Sequence, residues 1–559
     1  MRIVTSTSPW LAVLSLLPLV TAAGCRQPAP AAAVQQWTTH EIAFTSAGTY
    51  ANPYTDVDVW VHFENDAGER LVRPAFWDGA STWRVRFAPP DVGRTWTWTS
   101  EASVVDAGLS GQTGTLRSIA YDGDNRLLRH GLLRMSPGGR SVVHADGTPF
   151  LVVADTAWSI PYRATPEQVT TYAADRQAKG FNTTFLITLQ GDMFAKGPDA
   201  RNTALGFARA FSDVPEGRLN DLQPEYFQEL DGLVRILVDH ELTPLYAPVA
   251  HGYGWKGETA IGPRLSPDEY ARYCRYLVAR YGSMPAFWLV SLDSNGLAPS
   301  IKPAGEAIEQ WDAYRQPAGL HYSPYDDYLA DWAEPGSDCC FHGNKSHQGE
   351  PWLDFQWAQT GHEGKDHYHK VQRMYDVTPV RAVMNGESTY EAMGQGKYGL
   401  GWWQGNDAWN QLMHGGTMGV AYGAVSVWQW KVSRDEPGWP DWTNAPLSWR
   451  DALDLEGSRY VGAVARAFRG FDSTDMERRW DLAEGNRPLL AKPGTFYVAY
   501  LPEGGGITIP TAPTGLPFHW FDPQAGEFRS EGAVPEGGHF EAPDRKPWVL
   551  LVGKRATSS

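Results

Sequence analysis

Positive charge is in short supply: Lys and Arg number 48 against 64 Asp and Glu, for a net charge of -16 over 559 residues. That excess of acid argues against nucleic acid or an anionic membrane surface as the main partner. Cysteine is scarcer, at four residues. Adjacent Cys339 and Cys340 stand beside His342 and His347, but their spacing fits none of the zinc-binding patterns, so no metal site is expected. Cys274 falls in a stretch where Tyr270, Tyr273, Leu277 and Tyr281 recur at helical spacing, which marks it as core. The apolar run at residues 10–20 is too short to cross a bilayer, and there is no internal repeat. Three catalytic signatures are missing or incomplete. No G-x-S-x-G elbow supports a serine hydrolase of the α/β type. His362-Glu363 with His367 has the wrong spacing for a zincin, and Gly394-Gln395-Gly396-Lys397-Tyr398-Gly399 lacks the later acid that a dinucleotide site requires. No organic cofactor is expected.

What is present begins with an export signal over residues 1–24. Arg2 gives a positive start, the apolar run follows, and Thr21-Ala22-Ala23-Gly24 is a small-residue cleavage region. Cys25 comes next and resembles a bacterial lipobox cysteine, with Ala22 where Leu is usual. Lipidated there, the chain is expected in the cell envelope (periplasm or outer membrane) or secreted, with the Pro/Ala-rich residues 25–36 as a tether. A composition of 42% hydrophobic and 20% charged residues predicts a folded protein, and the length predicts two to four domains. The 25 Trp and 24 Tyr suit both β-sandwich cores and sugar binding, because the C–H face of a sugar ring is apolar and stacks on aromatic rings.

Residues 37–118 alternate apolar and polar positions in short runs, as in Val57-Asp58-Val59-Trp60-Val61-His62-Phe63, and predict a β-sandwich. From 119 to 475, apolar strand candidates alternate with helical stretches. Strands are expected at 150–154, 181–189, 244–249, 286–292, 320–323, 352–357, 380–384 and 424–430, with helices such as 166–179 and 225–240 between them. Eight such units predict a (β/α)8 TIM barrel whose chemistry sits at the C-terminal ends of its strands. Residues 476–559 return to short strands and predict a second β-sandwich.

Carboxylates at strand ends are the strongest chemical signal. Asp155 ends the first strand, Asp192 follows the second, Asp293 ends the fourth and Glu387 ends the seventh. Barrel units average roughly 31 residues, so the 94 residues from Asp293 to Glu387 amount to about three units, in agreement with strands four and seven. Such a pair flanks a bond held across the mouth, as glycoside hydrolysis needs: one acid protonates the leaving oxygen and one carboxylate attacks the anomeric carbon. For Asp155, a structural ion pair or hydroxyl binding is expected rather than catalysis. Glu391 is a competitor to Glu387 but stands past the strand, where first-turn acids are common.

The stretches Ala154-Asp155-Thr156-Ala157-Trp158 and Ala178-Lys179-Gly180-Phe181-Asn182 resemble the opening of the apiosidase-like (DUF4038) glycoside hydrolases, close to glycoside hydrolase family 140. So do Arg280-Tyr281-Gly282 leading to Trp288 and Asp293, Trp352-Leu353-Asp354-Phe355-Gln356 with Gln359-Thr360-Gly361-His362, and Gly386-Glu387 leading to Tyr390-Glu391. Pro74-Ala75-Phe76-Trp77-Asp78-Gly79 and Val92-Gly93-Arg94-Thr95-Trp96 resemble the DUF5060 domain that often precedes them. The resemblance implies Asp293 as acid/base, Glu387 as nucleophile and retention of configuration. Where the family often shows Gly-Gly-Asp, this chain has Ser291-Leu292-Asp293, two larger side chains beside the acid.

Sugar contacts are expected from Asp155, Trp158, Gln190, Asp192, His251, Tyr253, His321, Gln359, His362, Tyr390, Trp428 and Trp430, with Trp428 and Trp430 placed in strand eight. The expected partner is a polysaccharide or oligosaccharide, possible furanosidic sugars included. The alternative is an envelope protein that captures glycan without cleaving it. A polysaccharide lyase has no motif here.

Overall fold

The computed structural model describes residues 31–193, 209–252, 259–294, 296–322, 347–438 and 443–556. The export signal, Cys25, Tyr253, Cys339, Cys340 and His342 lie outside the described residues.

The alternation in the N-terminal region folds as written. Val59–Asn65 buries Val59, Val61 and Phe63 while His62 faces out. Thr82–Phe87 buries Trp83, Val85 and Phe87, and Thr95–Ala102 buries Trp96. A five-stranded and a three-stranded sheet enclose this core, with Phe63 and Phe87 stacked 4.0 Å apart. Burying each such ring contributes roughly 1.5–3 kcal/mol. One boundary is corrected. Ala32–Gln35, expected in the tether, is a parallel edge strand on Thr113–Ile119, because Val34 finds cover there.

Eight parallel strands then close a barrel. In order they are Val152–Asp155, Thr183–Ile187, Thr243–Ala247, Phe287–Ser294, Ala318–Tyr322, Phe355–Gln359, Ala382–Glu387 and Gly419–Tyr422. The last pairs with the first, Val152 opposite Gly419 and Asp155 opposite Tyr422. Strand eight is a second correction, since the apolar run 424–430 was expected to form it. That run instead turns through a short helix, Val425–Trp428, and Trp430 takes φ 48°. Its apolarity reflects burial beyond the strand end, where Val425 and Val427 are fully covered. The true strand has only four residues, Gly-Val-Ala-Tyr, too few to show a period.

Helix Pro166–Lys179 starts at a capping box between Thr165 and Gln168 and stops at left-handed Gly180. Helix Pro267–Tyr281 buries Cys274 on its core face, as its spacing predicts. The C-terminal domain is a six-stranded sheet faced by the pair Gly506–Thr508 and His539–Glu541. Both flanking domains are docked through buried contacts. Arg280 of the barrel pairs with Asp231 at 2.8 Å and with Asp78 of the first sandwich at 3.0 Å, and Arg86 pairs with the same Asp231. On the other side Tyr500 donates to Asn406 Oδ1 at 2.7 Å and stacks on Trp409. No described helix is long and apolar enough to cross a membrane.

Candidate active site

Strands four, five, six and seven place one polar group each around a single point at the barrel mouth. Glu387, the last residue of strand seven, is buried; Asp293, near the end of strand four, keeps some exposure. One oxygen of each carboxylate and one nitrogen of His321 lie within 4.8 Å of one another. These three groups are also near enough to grip a cation.

Two imidazoles face Glu387. His362 Nε2 is 3.1 Å from Oε1, and His321 Nε2 is 3.4 Å from Oε2. The amide of Asp293 donates to His321 Nδ1 at 3.4 Å, which leaves the proton of the neutral ring on Nε2, facing Glu387. Burial pushes His321 down to about 4, so that ring is neutral. Burial alone would raise the Glu387 carboxyl, but the His362 hydrogen bond, with His321 and Tyr390 behind it, holds it below the ordinary range. Asp293 moves the opposite way: burial and then the charge of Glu387 push it well above the carboxylate range. The pair is therefore set as one ionised and one protonated carboxyl, which is the division of labour acid and nucleophile require.

The backbone at Asp293 is left-handed, φ 52°, a conformation that costs an L-residue roughly 1–2 kcal/mol. Gly252 makes it possible. A Cβ at Gly252 would lie 2.3 Å from the Asp293 carbonyl oxygen and 2.5 Å from its Cβ, so the two segments meet only because position 252 has no side chain. Nothing in the sequence reading singled out Gly252.

Other expected residues sort by position. Tyr390 packs its ring 4.8 Å from His362 and accepts from Trp158 Nε1 at 2.9 Å, and Trp158 in turn edges His321 at 6.2 Å. Gln359 bonds Asp293 and brings its amide nitrogen 3.1 Å from His362 Nε2. Trp428 stands 6.1 Å from the Tyr390 ring. Gln190 and Asp192 are buried after strand two, with Asp192 accepting from the Thr259 amide at 3.4 Å. His251 is buried against Tyr270, pushed down to about 3 by burial, and its amide donates to Leu292. Ser291 and Leu292, the two larger residues beside the acid, are both buried in the barrel wall.

Two residues expected to contact sugar are buried in structural roles instead, and for Asp155 this is the ion pair that was its alternative reading. Asp155 is fully buried and bonds Arg176 Nε at 2.6 Å, an ion pair inside the barrel wall. Trp430 is fully buried, stacked on Trp449 at 4.8 Å, with its N–H donating to Gln168. Glu391 is buried as well. It accepts from the amides of Gly401 (2.7 Å) and Gly457 (2.9 Å), at the starts of two helices, and from the Tyr422 hydroxyl. Its negative charge is absorbed by those helix ends. Asp407, not singled out from sequence, is buried on helix Trp402–Met413, pushed up to about 7 by burial, and bonds Ser388 beside Glu387.

Comparison with known proteins agrees with the barrel architecture. The profile of the apiosidase-like catalytic domain matches residues 136–475, well over half of the chain, and that of DUF5060, a domain of unknown function, matches 33–103. No curated relative matches. Among solved structures, a Bacteroides vulgatus protein described as a glycoside hydrolase is 16% identical, aligning 93% of this chain with 99% of its own at a TM-score of 0.67. A glycoside hydrolase family 5 protein of the same organism is 17% identical over 76% of this chain and 94% of its own, at 0.60. Identities this low establish the fold. The match across the barrel establishes the family: the chain belongs to the apiosidase-like glycoside hydrolases, with the (β/α)8 barrel as its catalytic domain.

Proposed function

We propose that the enzyme is a retaining glycosidase acting on a complex polysaccharide or its oligosaccharides, with the bond to a furanosidic sugar as the favoured target. The observation that carries the mechanism is the approach of the Asp293 and Glu387 oxygens to within 4.8 Å. Retaining enzymes hold their carboxyls about 5–5.5 Å apart, whereas inverting enzymes need roughly 6.5–9.5 Å to admit water between acid and base. Glu387, held ionised chiefly by the His362 hydrogen bond, attacks the anomeric carbon while Asp293 gives its proton to the leaving oxygen. A glycosyl ester on Glu387 results. Asp293, now ionised, takes a proton from water, which displaces Glu387 and restores both groups. The furanosidic preference rests on the apiosidase-like family.

Reducing-sugar release from pectic, arabinan, arabinogalactan and algal polysaccharides, with wild type beside Glu387→Ala, tests the activity. NMR of the first-formed anomer tests retention. Inversion, or full activity in the variant, overturns the assignment. We also propose anchoring in the cell envelope through lipid on Cys25, tested by metabolic palmitate labelling of wild type against Cys25→Ser.

A further inference from the structure

The loop after strand seven contains the glycine pattern that is no nucleotide site, and its function is open. Ala392, Gly394, Gln395, Gly396, Gly399 and Gly401 all have positive φ. The loop is nonetheless firmly built. Ala392 donates to the Tyr398 carbonyl at 3.1 Å and Tyr398 to the Met393 carbonyl at 2.9 Å. Gln404 donates to the Gly399 carbonyl, and Glu391 accepts from Gly401. Tyr398, at its turn, is wedged between two glycines. A Cβ at Gly394 would meet the Tyr398 ring at 2.3 Å, and one at Gly364 would lie 3.6 Å from the ring's other edge. Gly364 belongs to the loop after strand six, two residues from His362, so the ring stands where the two loops beside Glu387 meet.

Despite this fixation Tyr398 is 44% exposed. The barrel leaves four large apolar side chains this open among the described residues: Leu297 (45%), Val380 (39%), Tyr398 (44%) and Leu400 (49%). Leu297 follows strand four, and Tyr398 and Leu400 follow strand seven, so three of the four sit in the loops that leave the two carboxylate strands. Val380 precedes strand seven at the opposite end of the barrel.

We propose that Tyr398, flanked by Leu400, is a stacking platform for a sugar ring of the glycan chain outside the residue being cleaved. It rests on the glycosidase reading above. A rigidly held aromatic side chain that is nearly half open to solvent offers its exposed surface to the C–H side of a sugar at little entropic cost.

The test is the ratio of kcat/KM on an oligosaccharide from the responsive polysaccharide to kcat/KM on a short aryl glycoside of the same terminal sugar. Tyr398→Ala lowers that ratio about five- to tenfold, chiefly through KM on the oligosaccharide. Tyr398→Phe keeps it, since the ring face and not the hydroxyl binds, and Val380→Ala keeps it too. An unchanged ratio in Tyr398→Ala overturns the platform while leaving the glycosidase intact. If wild type hydrolyses nothing, the glycosidase reading has failed. The platform is then read by retardation in native gels containing each polysaccharide: loss of retardation in Tyr398→Ala supports it, and equal or absent retardation overturns it.

Discussion

Gly252 offers a sharp test of how Asp293 is placed, because the perturbation adds one methyl group and no chemistry. An alanine Cβ there would lie 2.3 Å from the Asp293 carbonyl oxygen and 2.5 Å from the Asp293 Cβ. Non-bonded carbons rest about 3.5–4.0 Å apart, so strand four or the segment after strand three must give way by about 1 Å. Displacement on that scale at a reacting group costs on the order of a hundredfold in rate, equivalent to about 2.7 kcal/mol of transition-state stabilisation. We therefore expect Gly252→Ala to lower kcat about a hundredfold on the responsive glycan while KM changes far less. Gly232→Ala is the control, since its Cβ meets nothing within 4 Å on an exposed face of helix Pro224–Asp239, and it should leave kcat unchanged. Thermal melts of both variants separate misplacement from unfolding. Gly252→Ala folding normally and retaining kcat within about threefold would refute the claim that this contact sets the acid's position.

His362→Ala removes the main group holding Glu387 ionised, so Glu387 gains its proton at a higher pH and the acidic limb of kcat/KM moves upward. The loss at the acidic side should be about ten- to a hundredfold, given the value of a hydrogen bond to a charged group, and an unmoved limb counts against the assignment. Glu391→Ala strands two buried donors, from Gly457 and Tyr422, and a part-buried one from Gly401, and should cost roughly 3 kcal/mol in urea unfolding. Its kcat at low temperature should stay within a few-fold of wild type, and a collapse like that of Glu387→Ala would make it catalytic. Asp231→Ala removes the carboxylate shared by Arg86 and Arg280 at the domain seam, leaving them those of Glu41 and Asp78, and should cost about 1–3 kcal/mol. Limited proteolysis should then cut between sandwich and barrel, and a cleavage pattern equal to wild type would argue that the seam is held elsewhere.

The barrel and the carboxylate pair were legible because strand–helix alternation sets a register, and the register fixes which acids stand at strand ends. That count puts Asp293 and Glu387 at the ends of strands four and seven, where the structure brings their oxygens within 4.8 Å, while their separate roles came from the family resemblance. The residues that support them leave weaker traces. His321 and His362 are recognisable as polar groups near strand ends, but sequence cannot tell that both face Glu387, because orientation depends on the amide of Asp293 and the ring of Tyr390. Asp155 and Trp430 read like mouth residues by position. Their true partners, Arg176 and Gln168, sit on helix Pro166–Lys179 and are revealed only when that helix packs on the barrel. Gly252 is the hardest of all, since its role is the absence of a side chain, and its partner Asp293 lies far along the chain.

The two flanking domains are tied to the helices that adjoin the strands bearing Asp293 and Glu387. The first sandwich grips helix Pro267–Tyr281, which leads into strand four. Arg73 donates to the Val278 carbonyl at 2.9 Å, Arg86 to the Arg280 carbonyl at 2.7 Å, and Asp58 pairs with Arg275. The last domain grips helix Trp402–Met413, which follows strand seven, through Tyr500 on Asn406 and the Trp480 N–H on the Met413 carbonyl. Strand four carries Asp293 and strand seven carries Glu387, so each carboxylate has a domain braced against the helix beside it. Packed interiors transmit displacement because they have little free volume. Loosening either domain should thus be felt at the separation of the two carboxyls, and kcat of Asp231→Ala is the place to look for it.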